Sequence, residues 1–289
     1  MNILVTGSNG QLGSEIRELS SEYTGLNFFF TDVDTLDICD KVALNTYVKN
    51  NNINLIINCA AYTAVDKAED DVELCEKINT FAVKNIAEVA KENKLKVIHV
   101  STDYVFDGTA HVPYTEDCKT NPTSVYGKTK LAGEKALMST NKKSIVIRTA
   151  WLYSAYGNNF VKTMLRLGKE KDSLNVIFDQ VGTPTYARDL AKTILYITDN
   201  TSVNVDFFQP GIYHFSNEGV CSWYDFTVAI LRHAGIKTPV YPIETKDYPT
   251  KATRPHYSVL NKSKIKNTFN VEIPHWENSL VDVLKRLKG

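Results

Sequence analysis

Three side chains with complementary proton chemistry occur in two short segments of the sequence. Thr102 follows an apolar run, and Tyr126 and Lys130 stand four residues apart at the start of a helical pattern. Residues four apart share one face of a helix, so Tyr126 and Lys130 can face the same cleft as Thr102. A phenol titrates near pH ~10, and a neighbouring ammonium lowers that pKa towards neutrality. The trio therefore predicts proton transfer at a carbonyl group.

A glycine-rich segment follows the first apolar run and precedes the first helical pattern. Glycine allows a tight turn and a close approach of the backbone to a pyrophosphate, and the helix N-terminus offers free N–H groups. The spacing G-x-x-G-x-x-G differs from the G-x-G-x-x-G of many dehydrogenases. A glycine-rich turn without a ligand is the alternative interpretation. The segment predicts a dinucleotide site that includes Gly7, Gly10, Gln11, Leu12 and Gly13.

The residues after the second and third apolar runs predict the rest of the cofactor site. Asp32 stands where a carboxylate can bind the ribose 2′-hydroxyl and repel a 2′-phosphate, which favours NADH over NADPH. Asp37 and Ile38 are predicted to border the adenine, although Asp37 could equally be the N-cap of the next helix. The residues after the third run that are predicted to contact the cofactor are Ala60, Ala61 and Tyr62.

The elements that position these residues follow from the alternation of short β-branched runs with longer amphipathic segments. Such alternation is typical of βα units and a parallel sheet. Strands are predicted at 3–6, 28–31, 55–59, 97–101 and 145–149, and helices at about 12–22, 40–51, 74–94 and 124–140. The predicted fold class is α/β, a Rossmann-like doubly wound parallel sheet with a smaller C-terminal lobe.

The rhythm of the sequence becomes less regular after Trp151, which indicates a second domain. We expect residues 1–151 with 172–204 to form an NAD(P)-binding Rossmann domain, in which 174–199 returns to the main sheet. Residues 152–171 with 205–289 are expected to form the substrate-binding lobe. A last helix from about His275 to Leu287 is expected to pack within that lobe.

Composition excludes several classes of function. The 289 residues carry 33 basic and 33 acidic side chains, so no basic field attracts nucleic acid or an anionic membrane. The five cysteines form no Cys-x-x-Cys pair, and the histidines do not cluster with them, so we predict reduced thiols and no metal site. The sequence begins without a basic and apolar leader pattern, and a cytoplasmic location is expected.

Several motifs in register resemble the extended short-chain dehydrogenase/reductase superfamily. They are the glycine loop, Asn58-Cys59-Ala60-Ala61, Ser101-Thr102-Asp103 and Tyr126-x-x-x-Lys130. Longer segments are similar to the dTDP-4-dehydrorhamnose reductase family within it. These segments are AAYTAVDKAE at 60–69, STDYVFDG at 101–108, YGKTKLAGE at 126–134, RTAW at 148–151, GNNF at 157–160 and Thr253-Arg254-Pro255.

The resemblance implies reduction of the C4 ketone of dTDP-4-dehydro-β-L-rhamnose by NADH or NADPH. Tyr126 would protonate the oxygen, Thr102 would hydrogen-bond to it, and Lys130 would hold the nicotinamide ribose. The nucleotide-sugar pocket would also contain Val65, Asp103, Tyr104 and Trp151, with Arg254 as a clamp for the diphosphate.

One departure from the family concerns assembly. Some members dimerise through magnesium held by two acidic positions, and Glu15 could supply the first of these. Arg188 stands near the second position, where an acid is expected. We therefore expect a monomer or a weak homodimer without linking magnesium.

Two other functions are considered. One is a sugar-nucleotide epimerase or dehydratase that retains NAD, although Asp103-Tyr104 replaces the acid pair usual in dehydratases. The other is a non-catalytic regulatory subunit like that of methionine adenosyltransferase, which the presence of Thr102, Tyr126 and Lys130 disfavours.

Overall fold

A computed structural model describes residues 1–288 of the chain. The strands are β1 (Asn2–Thr6), β2 (Asn27–Thr31), β3 (Leu55–Asn58), β4 (Lys96–Thr102), β5 (Ser144–Thr149), β6 (Leu152–Tyr153), β7 (Leu174–Ile177), β8 (Val181–Gly182), β9 (Thr185–Tyr186), β10 (Gly211–His214), β11 (Cys221–Ser222) and β12 (Val240–Ile243). The helices are α1 (Gln11–Leu19), α2 (Lys41–Asn50), α3 (Val65–Ala68), α4 (Val72–Glu76), α5 (Ala82–Glu92), α6 (Val125–Thr140), α7 (Phe160–Glu170), α8 (Ala187–Val203), α9 (Trp223–Ala234), α10 (Ser263–Phe269) and α11 (Trp276–Arg286).

The main sheet is parallel throughout, in the order β2-β1-β3-β4-β5-β10. Its central strands are buried on both faces, as parallel sheets between helices usually are. Ile3 and Val5 pack against α1 and α8 on one face, while Leu4 packs with α2 and α5 on the other. The predicted Rossmann-like fold is confirmed, with the five predicted strands placed to within about two residues.

A second group of elements contains the parallel pair β7 and β12, with α7, α9 and α11 packed around a separate apolar cluster. Leu280, Val283 and Leu284 of α11 belong to that cluster, so the expected packing of the last helix is confirmed.

Two segments lie elsewhere than expected. The expectation that 174–199 returns to the main sheet is wrong for residues 174–177, because β7 pairs with the lobe strand β12. Residues 211–214, expected in the lobe, form β10 and extend the main sheet beside β5. Both differences arise from pairing between segments that are far apart in the sequence. The free edge of β5 pairs with β10, and β7 pairs with β12. The division into two domains remains a proposal, in which β7 belongs to the smaller lobe and β10 to the Rossmann domain.

Two further properties concern the described part of the chain. None of the helices within residues 1–288 combines the length and apolar character needed to cross a bilayer. In the same residues, His, Cys, Asp and Glu side chains form no group of three that could hold a metal ion.

Candidate active site

The carboxyl ends of β1 to β5 open onto one cavity of about 840 Å³. Ligands bind at this edge of open parallel sheets. Of the predicted cofactor residues, those that line the cavity are Gly7, Gly10, Gln11, Leu12, Gly13, Asp32, Ala60, Ala61, Tyr126 and Lys130. Of the predicted substrate residues, those that line it are Val65, Thr102, Asp103, Tyr104, Tyr126 and Trp151. Both predicted sets therefore meet in one space.

The glycine loop has the geometry that a dinucleotide site requires. Gly7 has a φ of +64°, and a Cβ atom there would lie 2.6 Å from the backbone of Ala60. A Cβ atom on Gly13 would lie 2.5 Å from the carbonyl oxygen of Gly7. Gly10 is the N-cap of α1 and contributes no side-chain cap, so the first N–H groups of the helix remain available for an anion. The loop therefore fits the pyrophosphate of a dinucleotide.

Asp32 lies at the end of β2 beside this loop. Its Oδ2 accepts a 2.9 Å hydrogen bond from the amide of Asn9, and its Oδ1 accepts one of 2.8 Å from the amide of Val33. A carboxylate oxygen has two acceptor positions, so each oxygen keeps one for a ribose hydroxyl.

Arg17 is a residue of this region that the sequence analysis missed. Its Nη2 donates a 2.7 Å hydrogen bond to Oγ of Ser8, and its guanidinium carbon lies 4.5 Å from the centre of the Phe30 ring. Side chains on a helix lean towards its N-terminus, so a basic residue in the second turn of α1 was a usable signal.

Three predicted cofactor residues lie outside the cavity lining. Oδ1 of Asp37 accepts a 2.9 Å hydrogen bond from the amide of Cys39, and Ile38 is buried under the sheet. The N-cap of α2 is Asp40, so the alternative role of Asp37 as a cap is wrong. The predicted place of Asp37 and Ile38 beside the adenine remains a prediction.

Tyr62, the third of these residues, has its backbone held on both sides by one asparagine. Its amide donates a 2.9 Å hydrogen bond to Oδ1 of Asn79, whose Nδ2 donates one of 3.1 Å to the carbonyl of Tyr62. Asn79 lies in a π-helical segment, Lys77–Phe81, between α4 and α5. Such segments are frequent at functional sites. Asn79 therefore fixes the loop that carries Ala60 and Ala61.

Thr102, Tyr126 and Lys130, the residues of the predicted proton-transfer group, line the same cavity. Thr102 ends β4, and Tyr126 and Lys130 are one turn apart on α6, whose N-cap is Ser124. Nζ of Lys130 donates a 2.7 Å hydrogen bond to the carbonyl of Val100 and is buried. The ring of Tyr126 meets Tyr104 edge to face, with 5.5 Å between ring centres.

The titration of the trio differs from the expectation. Burial raises the pKa of Tyr126 above its ordinary value and outweighs the opposing hydrogen bond with Thr102. Burial also lowers the pKa of Lys130 to about 8. The expected lowering of the Tyr126 pKa by Lys130 is wrong for this geometry, because the ammonium is directed at the Val100 carbonyl and desolvation dominates. The result is a phenol that holds its proton and can donate it.

Trp151, one of the predicted substrate residues, lines the cavity and belongs to an aromatic pair. Trp151 stacks face to face on Trp223, with ring centres 3.5 Å apart, and has a φ of +48°. A positive φ at a bulky residue is strained and persists where the surroundings enforce it. Gly182 leaves the necessary space, since a Cβ atom there would lie 2.7 Å from the Trp151 indole. Trp223 was missed because its 72-residue separation from Trp151 hides the contact in sequence.

Arg254 does not line the cavity but lies beside Tyr104, which does. Its Nη2 donates a 2.6 Å hydrogen bond to Oδ2 of Asp66, and its Nη1 lies 3.4 Å from the hydroxyl of Tyr104, which does line the cavity. A guanidinium has five donors, so several remain for phosphate oxygens. Arg254, predicted to bind the diphosphate, therefore lies near the pocket but is hydrogen-bonded to Asp66.

Glu15 is surrounded by internal partners. Its carboxylate, fully buried, accepts hydrogen bonds of 2.6 Å from Ser154, 2.9 Å from Arg286 and 3.2 Å from Arg188. Both guanidinium groups also bind Glu18. This network joins α1 to α8 and α11.

The doubly wound sheet, the glycine loop and the group formed by Thr102, Tyr126 and Lys130 define an extended short-chain dehydrogenase/reductase. The sequence model of the family described as "RmlD substrate binding domain" matches residues 1–288. The chain belongs to this family.

Named relatives share nearly the whole chain. A dTDP-4-dehydrorhamnose reductase of Aggregatibacter actinomycetemcomitans is 40% identical over 287 residues, covering 97% of each chain. The crystal structure of a dTDP-4-dehydrorhamnose reductase from Clostridium acetobutylicum is 43% identical and covers 100% of both chains, with a TM-score of 0.94. That of the Bacillus anthracis reductase in complex with NADP is 37% identical and covers 99% of both, with a TM-score of 0.92.

Proposed function

We propose that the protein is an oxidoreductase that reduces the C4 ketone of dTDP-4-dehydro-β-L-rhamnose to dTDP-L-rhamnose. The observation that carries the proposal is the meeting of Thr102, Tyr126 and Lys130 with the glycine loop in one cavity. The similarity to reductases of that name, 40% identical in one case, supports the choice of substrate.

Proton transfer is the part of the reaction that this chain's own residues perform. The nicotinamide dinucleotide, when bound, supplies the hydride for C4. Tyr126 donates its phenol proton to the C4 oxygen, and the raised pKa keeps that proton in place until charge develops on the oxygen. Thr102 stands beside the phenol, where a hydroxyl hydrogen bond stabilises the same oxygen.

Lys130 has a binding role in this proposal. Its ammonium group is buried one helical turn from Tyr126 and already has one carbonyl partner, Val100. An ammonium has three donors, so two remain for the hydroxyl groups of the nicotinamide ribose.

The substrate is held by the opposite wall of the cavity. The flat face of Trp151 suits the 6-deoxy methyl group, and Val65, Asp103 and Tyr104 complete the sugar pocket. Arg254 binds the diphosphate, which competes with Asp66 for the guanidinium.

Both forms of the nicotinamide cofactor are candidates. Asp32 favours NADH, since its carboxylate can bind the 2′-hydroxyl and would repel a 2′-phosphate.

The five cysteines are free thiols, which supports the proposed cytoplasmic location.

The test is consumption of NADH or NADPH by the purified protein with dTDP-4-dehydrorhamnose generated in situ. We expect loss of nicotinamide absorbance and formation of dTDP-L-rhamnose in equal amounts. Protein that holds NAD through gel filtration and shows no net NADH oxidation would identify an epimerase or dehydratase instead. Protein that binds the dinucleotide but turns over neither cofactor would support the regulatory alternative.

A further inference from the structure

A cation that the proposed reaction does not use, Arg17, lies beside the glycine loop and contacts Asn9, which lines the cavity. Arg17 is exposed on α1, and its Nη2 lies 2.7 Å from Oγ of Ser8 and 3.4 Å from Oδ1 of Asn9. Among the ion pairs formed within residues 1–288, none includes Arg17. Its charge is therefore available to an anion.

The position of Arg17 relative to Asp32 defines what that anion is. Both contact Asn9, since its amide N–H donates to Oδ2 of Asp32 and its side-chain oxygen accepts from Arg17. The guanidinium also lies over Phe30, two residues before Asp32 on the same strand. Asn9 and Asp32 both line the cavity. Asn9 therefore bridges Arg17 and the Asp32 carboxylate, which is assigned to the ribose 2′-hydroxyl.

The two charged groups suit different substituents at the same ribose carbon. A carboxylate accepts hydrogen bonds from a hydroxyl, while a guanidinium donates two parallel bonds to a phosphate. Two backbone N–H groups already bind the Asp32 carboxylate, which offsets part of its repulsion of a phosphate. The hydroxyl of Ser8 is buried and accepts a hydrogen bond from the guanidinium, which holds the guanidinium in this position.

We propose that Arg17, which Ser8 and Asn9 hold in position, binds the 2′-phosphate of NADPH, whereas Asp32 binds the 2′-hydroxyl of NADH. The chain then accepts both dinucleotides, and Arg17 is the residue that sets their relative affinity. This inference rests on the proposed function only in taking the ligand to be a nicotinamide dinucleotide.

The first test measures binding without catalysis, by titration calorimetry with 2′,5′-ADP and with ADP. Loss of a charge-assisted hydrogen bond weakens binding by about tenfold to a hundredfold. Arg17→Ala should therefore weaken 2′,5′-ADP by about tenfold or more and leave ADP within about twofold. Arg166→Ala is the matched control, because Arg166 is an exposed helical arginine paired with Glu170 in the other lobe. It should bind both ligands like the parent chain.

Two further variants separate phosphate binding from support of the loop. Ser8→Ala removes the hydroxyl partner and leaves the guanidinium, so it should weaken 2′,5′-ADP less than Arg17→Ala does. Asp32→Asn keeps the shape and removes the repulsion, so it should raise the affinity for NADPH relative to NADH. Equal weakening of ADP and 2′,5′-ADP by Arg17→Ala would show that Arg17 only shapes the loop and would overturn the inference.

Kinetics then distinguish this inference from the proposed function. With active protein, Arg17→Ala should raise KM for NADPH by about tenfold while kcat and KM for NADH stay within about twofold. An unchanged NADPH to NADH ratio would overturn the inference and leave the reductase standing. Arg17-dependent binding of 2′,5′-ADP by a protein that oxidises neither dinucleotide would support the inference and remove the reductase.

Discussion

The hydroxyl group of Thr102 donates a 2.9 Å hydrogen bond to Oδ1 of Asp103, and both side chains are buried in the wall of the cavity. Oγ1 of Thr102 also accepts a 3.1 Å hydrogen bond from the amide of Tyr104. A hydroxyl has one hydrogen, so the hydrogen that Asp103 accepts is not available to a substrate oxygen. The charge of Asp103 therefore decides whether Thr102 can stabilise the C4 oxygen.

This relationship predicts how the reductase activity depends on pH. Burial raises the pKa of Asp103 to about 7. The neutral acid can donate to Thr102 and free its hydrogen, whereas the ionised acid retains it. We expect kcat/KM to fall as the pH rises through about 7, and Asp103→Asn, which mimics the neutral acid, to flatten the profile. A profile measured from about pH 6 to about pH 9 checks this, and comparison with Asp103→Asn separates the titration of Asp103 from that of Lys130, whose pKa of about 8 lies in the same range.

A stability measurement provides the control for Asp103→Asn. The folded state holds the Asp103 proton above the ordinary pKa of an unfolded aspartate, so the folded chain binds more protons between about pH 4 and about pH 7. The free energy of unfolding therefore falls as the pH rises through this range. Asp103→Asn should not show this fall. An asparagine variant that keeps both the stability slope and the alkaline loss of activity would refute the role of Asp103.

Tyr126→Phe removes the hydroxyl group of the proposed proton donor and keeps the ring. The ring can still pack edge to face against Tyr104, so folding and NADH affinity should remain within about twofold of the parent chain. Since a positioned acid contributes about 10²- to 10⁴-fold, kcat should fall by that factor. Single-turnover kinetics and NADH titration separate the two effects. A well-folded variant with the native rate would rule out Tyr126 as the donor.

Lys130→Met should separate activity from stability. The buried ammonium has its pKa lowered to about 8, so between that pH and about 10.4 the unfolded chain binds more protons than the folded chain. The free energy of unfolding therefore rises with pH in this range, and at neutral pH the charged lysine is a cost to folding. We expect the variant to lose cofactor affinity and activity while its Tm at neutral pH stays equal or rises. A lower Tm would show that the bond to Val100 outweighs the cost of burial.

Local signals explain which parts of the fold could be predicted. The strands β1 to β5 are apolar runs with a glycine or polar residue at their carboxyl ends, and the glycine loop and Tyr126-x-x-x-Lys130 are each contained within a few residues. The edge strand β10 has only four residues, and its place depends on β5, more than sixty residues earlier. Pairing over that distance leaves no periodic pattern in the sequence.

The contrast between local signals and contacts over a long sequence distance also explains which site residues were predicted and which were missed. Thr102, Tyr126 and Lys130 belong to contiguous motifs, so their chemistry could be inferred. Trp223 enters the site only through its stack on Trp151, and Arg17 only through the turn that brings Ser8 back towards α1. The direction of the pKa shift of Tyr126 could not be predicted either, because it depends on burial that the sequence does not show.

The network around Glu15 predicts that magnesium does not govern assembly. Arg188 and Arg286 bind both Glu15 and Glu18, so two cations already balance these carboxylates. A divalent ion at this position would be repelled by the guanidinium groups. The mass measured by light scattering should be the same in EDTA and in excess magnesium. A dimer that appears only with magnesium would contradict this assignment of Glu15.

The ion pair of Glu134 and Arg148 predicts the cost in stability of releasing α6 from β5. Nε and Nη2 of Arg148 donate hydrogen bonds of 3.0 and 2.7 Å to the carboxylate of Glu134, and both side chains are buried. The pair ties α6, which carries Tyr126 and Lys130, to β5. Removal of one partner leaves an unpaired buried charge, so Arg148→Met should lower the free energy of unfolding by about 3 to 5 kcal/mol in chemical denaturation.

The double variant Glu134→Leu with Arg148→Met tests the cause of that loss. Since it leaves no buried charge, it should recover most of the stability, because apolar replacement of a buried pair is often neutral. If the double variant is as unstable as Arg148→Met, lost packing against Phe106, which lies 5.2 Å from the Arg148 guanidinium, is the main effect. Activity distinguishes position from stability, since a stable double variant with reduced kcat would show that the charged pair also orients Tyr126.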